Sequence, residues 1–146
     1  MESFDHVIKD ADDSKRKLKQ LIKRMSESAA RNSIAQAKSL GKIKLYSALE
    51  EELDEEFHIA VGEQAIKLDK SLIYCALIVR NGTIRIVAFS GSDAVNVKKA
   101  GDLVRDVANV LGGSGGGKDT FGQGGGKNML KIKDAFLAVE KSILGK

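Results

Sequence analysis

The sequence predicts an α/β (α+β) fold in which an N-terminal helical arm precedes a small mixed β-sheet covered by helices. Three observations carry that prediction. A heptad pattern runs through the first 35 residues, an Asn-Gly turn joins two apolar runs near the middle, and two amphipathic stretches flank a glycine tract near the end. Segregated helical and strand periodicities of this kind suit helices packed on the faces of one sheet.

Along the arm, Phe4, Ala11, Leu18, Met25 and Asn32 occupy one heptad position, and Val7, Ser14, Leu21, Ser28 and Ala35 the other. Ser14, Ser28 and Asn32 weaken the seam, so such a helix wants a partner in its own chain or another. Ile34, Ala37 and Leu40 continue the apolar pattern until Gly41, which allows one long helix or a helix pair. Residues 1–41 are therefore expected to form the arm, and 42–146 the globular domain.

Lys42–Tyr46 alternates charged and apolar residues, as a strand with one buried face does. Ser47 and Glu50 have capping-box spacing ahead of a helical stripe of Leu53, Phe57, Ala60, Val61, Gln64 and Leu68. SLIYCALIVR and TIRIVAFS, separated by Asn81-Gly82, read as a hairpin with a type I′ turn. Val97, Ala100, Leu103, Val104, Val107, Ala108 and Leu111 lie on one helical face that Gly112 can end. In the last helix the apolar face is Ile132, Ala135, Phe136, Val139 and Ile143, with Asn128 placed to cap it.

Between these last two helices nine of the fifteen residues from Gly112 to Gly126 are glycine, in a chain without proline. Each fixed glycine costs about 0.5–1 kcal/mol relative to alanine, so either the stretch is an idle linker or its bare backbone approaches something closely. Connections inside compact domains typically run about 4–6 residues, which favours a shaped glycine-rich loop over a linker. Gly112, Gly117 and Lys118 satisfy the spacing of a phosphate-binding P-loop, but Asp119 stands where Ser or Thr should hold the metal. The tract also follows a helix, whereas a P-loop follows a strand.

Little else offers catalysis. His6 and His58 sit in no zinc-ligand or nucleophile pattern, and His58 lies at the edge of an apolar stripe, as a packed histidine would. Cys75 falls in an apolar strand and reads as packing. A single cysteine excludes an internal disulfide and a thiolate cluster. The acids of residues 50–56 would diverge along a helix, so neither a catalytic nor a metal site is expected. No apolar run approaches the roughly 20 residues that span a bilayer, and the acidic N-terminus lacks a secretory pattern; a cytoplasmic protein without membrane contact is expected.

Binding remains. Residues 15–24 carry six basic side chains and no acid, and Lys118, Lys127, Lys131 and Lys133 bracket and follow the glycines. Clustered cations steer a polyanion even when the net charge is only +4. Consecutive glycine N–H groups can face an anion, or let a nucleic-acid backbone or base pair lie flat. Lys118 and Lys127 would add charge at the two ends of the tract, and Gln123 between glycines supplies a donor and an acceptor.

The order Gly112-Gly113-Ser114-Gly115-Gly116-Gly117-Lys118, then Asp119-Thr120-Phe121, then Gly122-Gln123-Gly124-Gly125-Gly126 resembles the C-terminal (C-Ala, DHH-associated) domain of alanyl-tRNA synthetase. Ser114 stands where many members carry Lys, Lys118-Asp119-Thr120 where they carry Arg-Pro-Asp, and Gly122 where Ala is usual. The resemblance implies a non-catalytic module that binds the tRNA elbow, most simply of tRNA-Ala, promotes a homodimer, and ties aminoacylation to editing. It implies that the chain is a fragment of such a ligase; ATP and zinc would belong to parts absent here, leaving no cofactor in this chain. The RNA-binding residues expected are Lys118, Lys127, Gly115, Gly116, Gly117, Gln123, Gly124 and Gly125 in the tract, with Arg16, Lys19, Lys23 and Arg24 on the arm. Leu18, Leu21 and Met25 are expected to dimerise. Two alternatives stay open: the nucleotide-binding accessory domain of a DHH-type phosphoesterase, whose glycine cluster adjoins a histidine where Lys118 stands, and a coiled-coil protein-interaction module.

Overall fold

The computed structural model describes residues 4–145, with side chains from Asp12 onward. The arm is a single helix, α1 (Phe4–Gln36). Phe4, His6, Val7 and Ala11 lie outside the described side chains. From Ser14 to Met25 every residue is exposed, and the helix packs only further on, through Ser26, Ala30 and Ser33. These small residues recur at helical spacing and let α1 lie close on its neighbour. Ser26 Oγ accepts from Gln64 Nε2 at 3.0 Å, and Ser33 Oγ donates to the Ala30 carbonyl at 2.6 Å. The packed face is thus offset from the heptad seam, whose Ser28 and Asn32 stay exposed.

Around Gly41 (φ 63°), β1 (Lys38–Leu40) and β2 (Ile43–Glu50) pair antiparallel. The expected capping box does not form. Ser47 and Glu50 belong to β2, whose backbone is committed to a parallel ladder with β3 over Lys44–Glu50. The helix that follows, α2 (Glu55–Leu68), is capped instead by Asp54, whose carboxylate accepts from the Phe57 N–H at 2.9 Å. Its buried face is His58, Val61, Gly62 and Ala65, while Leu53 and Leu68 from the expected stripe are exposed. Gly62 allows this rotation, because Phe89 occupies the space a side chain there would need.

The central hairpin is as expected: β3 (Leu72–Arg80) and β4 (Thr83–Ser90) meet at Asn81 and Gly82, with the positive φ of 51° and 76° that a type I′ turn requires. Next, α3 (Ala100–Val110) buries Ala100, Leu103, Val104, Val107 and Ala108 and ends at Gly112 (φ 71°), while Val97 stays outside the helix and exposed. The glycine tract is not a loop. It forms two antiparallel strands, β5 (Ser114–Gly117) and β6 (Phe121–Gly126). Beyond it α4 (Ile132–Leu144) buries Ala135, Val139 and Ile143. Asn128 makes no capping bond; a 3-10 turn over Met129–Lys131 leads into that helix.

The strands form one sheet in the order β1-β2-β3-β4-β6-β5, parallel only between β2 and β3. One face packs on α3 and α4 through Ile73, Leu77, Ile86, Leu103, Val107 and Val139. The other packs on α1 and α2 through Ala30, Val61, Ala65, Tyr74, Val87 and Phe89. At the sheet centre β3 is buried on both sides from Leu72 to Ile78, which explains its unbroken apolar run.

Candidate nucleic-acid interface

Register sorts the glycines by face, because paired residues in a ladder point the same way. Opposite Gly122, Gly124 and Gly126 stand Ala88, Ile86 and Ile84, all in the α3–α4 core. Opposite Gln123 and Phe121 stand Val87 and Phe89, both in the α1–α2 core. On β5, Gly115 and Gly117 therefore share the α3 side, and Ser114 and Gly116 the other.

On the α3 side the absent side chains have a structural reason. A Cβ on Gly115 or Gly124 would lie 2.6 or 2.7 Å from Val104 Cγ1, and one on Gly122 would lie 2.9 Å from the Ala100 carbonyl. Gly101 of α3 meets the hairpin in turn, with the Gly117 carbonyl 2.7 Å from where its Cβ would be. The helix thus rests backbone to backbone on the strands. Two backbone bonds fasten it, Ala100 N–H to the Asp119 carbonyl at 2.8 Å and Gly101 N–H to the Lys118 carbonyl at 2.9 Å. Close packing accounts for Gly115 and Gly124, whose missing side chains would meet Val104 of α3, whereas a Cβ on Gly117 would meet the Phe121 carbonyl across its own hairpin.

The opposite face is different. Over β3 and β4 it is covered by α2, and at the start of β6 Phe121 packs against the same cluster with its ring on Phe89. Gly116 has only an Arg105 guanidinium nitrogen near it, at 3.7 Å from a built Cβ. Ser114, Gly116 and Gln123 accordingly form a shelf with a single long side chain of its own, and at Gly125 that shelf is overlaid by Arg85, whose guanidinium lies 3.1 Å from where a Cβ would be. Lys118 and Lys127 stand exposed at its two ends, roughly 20 Å apart for six residues of strand. That exceeds the screening length of about 8 Å at physiological salt, so each would act on its own stretch of a polyanion. Among the described residues neither lysine has an ion-pair partner.

Each end of the shelf opens into a recess. At the Lys127 end, Arg85, Gly112 and Gly125 line a cleft of about 500 Å³, and Arg85 there is held by Glu55 at 3.1 Å. At the Lys118 end, Lys67, Lys70, Phe89 and Phe121 line one of about 680 Å³. Lys67 also lines the groove between α1 and α2 beside Arg31, so cations continue across α2 from the arm to the hairpin. Arg31, Lys67, Lys70 and Arg85 have no sequence signal, because each stands apart from the basic runs and only folding brings them into line.

The arm carries the other set. Arg16, Lys19, Lys23 and Arg24 are all exposed, Arg16 paired at 3.2 Å with Asp13. Leu18, Leu21 and Met25 are 57%, 54% and 46% exposed, and Ile22 joins them as an apolar strip. The structure brings neither group onto the glycine shelf.

The acids of residues 50–56 do not follow one helix. Glu50 ends β2, where burial pushes its carboxyl up but bonds from the Glu52 and Leu53 N–H groups and from His58 outweigh it, holding it below its ordinary range. His58 is buried, with Nε2 2.7 Å from Glu50 Oε1 and Nδ1 2.7 Å from the Tyr74 hydroxyl. Burial raises that tyrosine's pKa further still above the ordinary range. The three side chains satisfy one another, as a packed core histidine requires. Burial likewise pushes the Cys75 thiol up to about 12. No group of three or more His, Cys, Asp or Glu among the described residues is placed to hold a metal ion.

The family profile of the DHHA1 domain matches residues 41–145. The chain belongs to that family. Curated relatives of this DHHA1 domain include the alanine–tRNA ligase of Cenarchaeum symbiosum, 38% identical over 92 residues, and that of Nitrosopumilus maritimus, 36% identical over 105. The alignments cover 63% and 71% of this chain but only 10% and 12% of those ligases. Its fold is that of the C-Ala domain of Aquifex aeolicus alanyl-tRNA synthetase, at a TM-score of 0.68 and 22% identity over 74% of this chain and 97% of that one. RecJ from Thermus thermophilus shares the fold less closely, at a TM-score of 0.59 and 14% identity over 90% of this chain and 19% of that one. Among the described residues no helix is long and apolar enough to cross a membrane.

Proposed function

We propose that this DHHA1 domain is the non-catalytic C-terminal module of a cytoplasmic alanine–tRNA ligase, binding the outer corner of tRNA and promoting a homodimer that couples aminoacylation to editing. One observation supports the RNA-binding part above others. On one face of β5 and β6, Ser114, Gly116 and Gln123 leave a surface with few side chains, edged by Lys118 and Lys127 and continued by Lys67, Lys70 and Arg85. A rigid, flat, cation-edged surface suits a folded nucleic acid, whose phosphates supply affinity while its shape supplies register. Dimerisation is supported by Leu18, Leu21, Ile22 and Met25, an exposed apolar strip on a helix that wants a partner. Catalysis, ATP and zinc are assigned to other parts of the full-length ligase.

Titration of labelled tRNA-Ala at several salt concentrations tests the reading. Affinity is expected to fall with a log–log slope between about −0.7 and −0.9 per phosphate contacted, and folded tRNA to compete better than a single strand of equal length. Salt-independent binding, or none, defeats it. Sedimentation of a chain carrying Leu18→Lys and Leu21→Lys tests the second part; a dimer that persists removes the arm from the interface.

A further inference from the structure

The cleft at the Lys118 end is built for something narrower than a phosphate backbone. Its inner surface is apolar, with Ile59 and Ile66 of α2 on one side and the Phe89 and Phe121 rings, 4.7 Å apart, on the other. Its mouth is cationic. Lys70 and Lys118 have no ion-pair partner among the described residues, and the single carboxylate in the lining, Glu63, is offset by Lys67 at 3.5 Å. Both free lysines stand on fixed backbone. The Lys70 carbonyl accepts from the Asp93 and Ala94 N–H groups at 3.0 and 3.1 Å, while the Lys118 N–H donates to the Phe121 carbonyl at 2.7 Å. Their main chain is therefore fixed before binding, so that ordering costs fall on the two side chains alone. At about 680 Å³ the cleft lies within the range of small-ligand sites.

An apolar, aromatic-walled slot with two cations at its lip asks for a flat ring joined directly to an anion, and within RNA that unit is a nucleotide. We propose that this cleft takes one unstacked base of the bound RNA, its ring against Phe121 and its flanking phosphate between Lys70 and Lys118. The proposal rests on the RNA-binding reading and adds a base-stacking site to it. Thr120 and Ser92, at the rim, are placed to meet the base edge.

Two measurements on the intact chain test it. Amide shifts followed by NMR during titration with AMP, GMP, CMP or UMP should move at Thr120 and Phe121. Inorganic phosphate alone should move resonances near Lys70 and Lys118 without those of the Phe121 ring. In tRNA titrations, Phe121→Leu, which keeps an apolar group against Phe89, should weaken binding roughly tenfold with an unchanged salt slope. Lys70→Ala, at an exposed position that cannot disturb the core, should instead reduce that slope by about one contact. If the unaltered chain binds tRNA while both variants bind it equally well and no mononucleotide shifts the cleft, the base pocket is overturned and the RNA-binding reading survives. If the unaltered chain binds no tRNA, both fall.

Discussion

Two of the sheet's hairpins, β3–β4 and β5–β6, reach the same antiparallel geometry by opposite means. In β3–β4 both faces are filled by large side chains, with Leu72, Ile73, Leu77, Ile78, Ile84 and Ile86 all buried. In β5–β6 seven of the ten strand residues are glycine, with Ser114, Phe121 and Gln123 as the exceptions. One face is sealed by the α3 backbone and Val104, and on the other only the Arg85 and Arg105 side chains come near Gly125 and Gly116. The first hairpin is stabilised by apolar area; the second is stabilised by a helix that comes close because nothing stands in its way. A glycine strand is intrinsically weak, so its order is borrowed from the α3 that covers it.

The largest expected effect comes from the side-chain-filled hairpin. Ile86→Ala should cost about 2–5 kcal/mol in urea unfolding, since Ile86 is fully buried between β4 and α3. Gly124→Ala tests the other hairpin by addition rather than removal. Its new methyl meets Val104 at 2.7 Å and the Gly115 Cα at 2.8 Å, and overpacking should cost about 1–3 kcal/mol. Were Gly124→Ala neutral, the claim that α3 dictates these glycines would be broken.

Acid provides a smaller effect confined to the covering helix. On α3, Asp106 accepts from Ser142 Oγ at 2.6 Å and from Lys98 Nζ at 3.0 Å, and these bonds hold its carboxyl below the ordinary 3.8. A carboxyl depressed in the folded state contributes stability above its ordinary value and loses it as pH falls toward the folded one. Asp106→Asn should therefore narrow the stability gap between pH 7 and pH 3, a change read by urea unfolding at both; an unchanged gap would show that the carboxylate does not pin α3 to α4.

The smallest effect on stability belongs to Gly116→Ala, whose Cβ would meet only the Arg105 guanidinium at 3.7 Å, and the change should stay within about 0.5 kcal/mol. Its tRNA affinity should nonetheless drop if that face is the contact surface. The pair Gly116 and Gly124, one residue apart in facing across the hairpin, thus separates the structural use of glycine from the binding use.

The arm repeats this division between what sequence shows and what folding decides. Its helicity and its apolar strip are legible in the heptads, but the face that packs is Ser26, Ala30 and Ser33, which no apolar pattern marks. Small residues select for closeness, and closeness depends on the partner. The same holds for α2, where Gly62 under Phe89 turns the helix away from the stripe that periodicity suggests.

The order of the major elements, the Asn81-Gly82 turn, the buried faces of α3 and α4, and the basic clusters were all determined by the sequence itself, because local propensity and apolar spacing agree there with the final burial. Only the tertiary structure decided that the glycine tract is a pair of strands, which of its glycines are sealed, and that Lys67 and Lys70 join Lys118 around one cleft. Those facts depend on contacts between segments far apart in the chain, and a residue without a side chain carries no local signal of what will approach it.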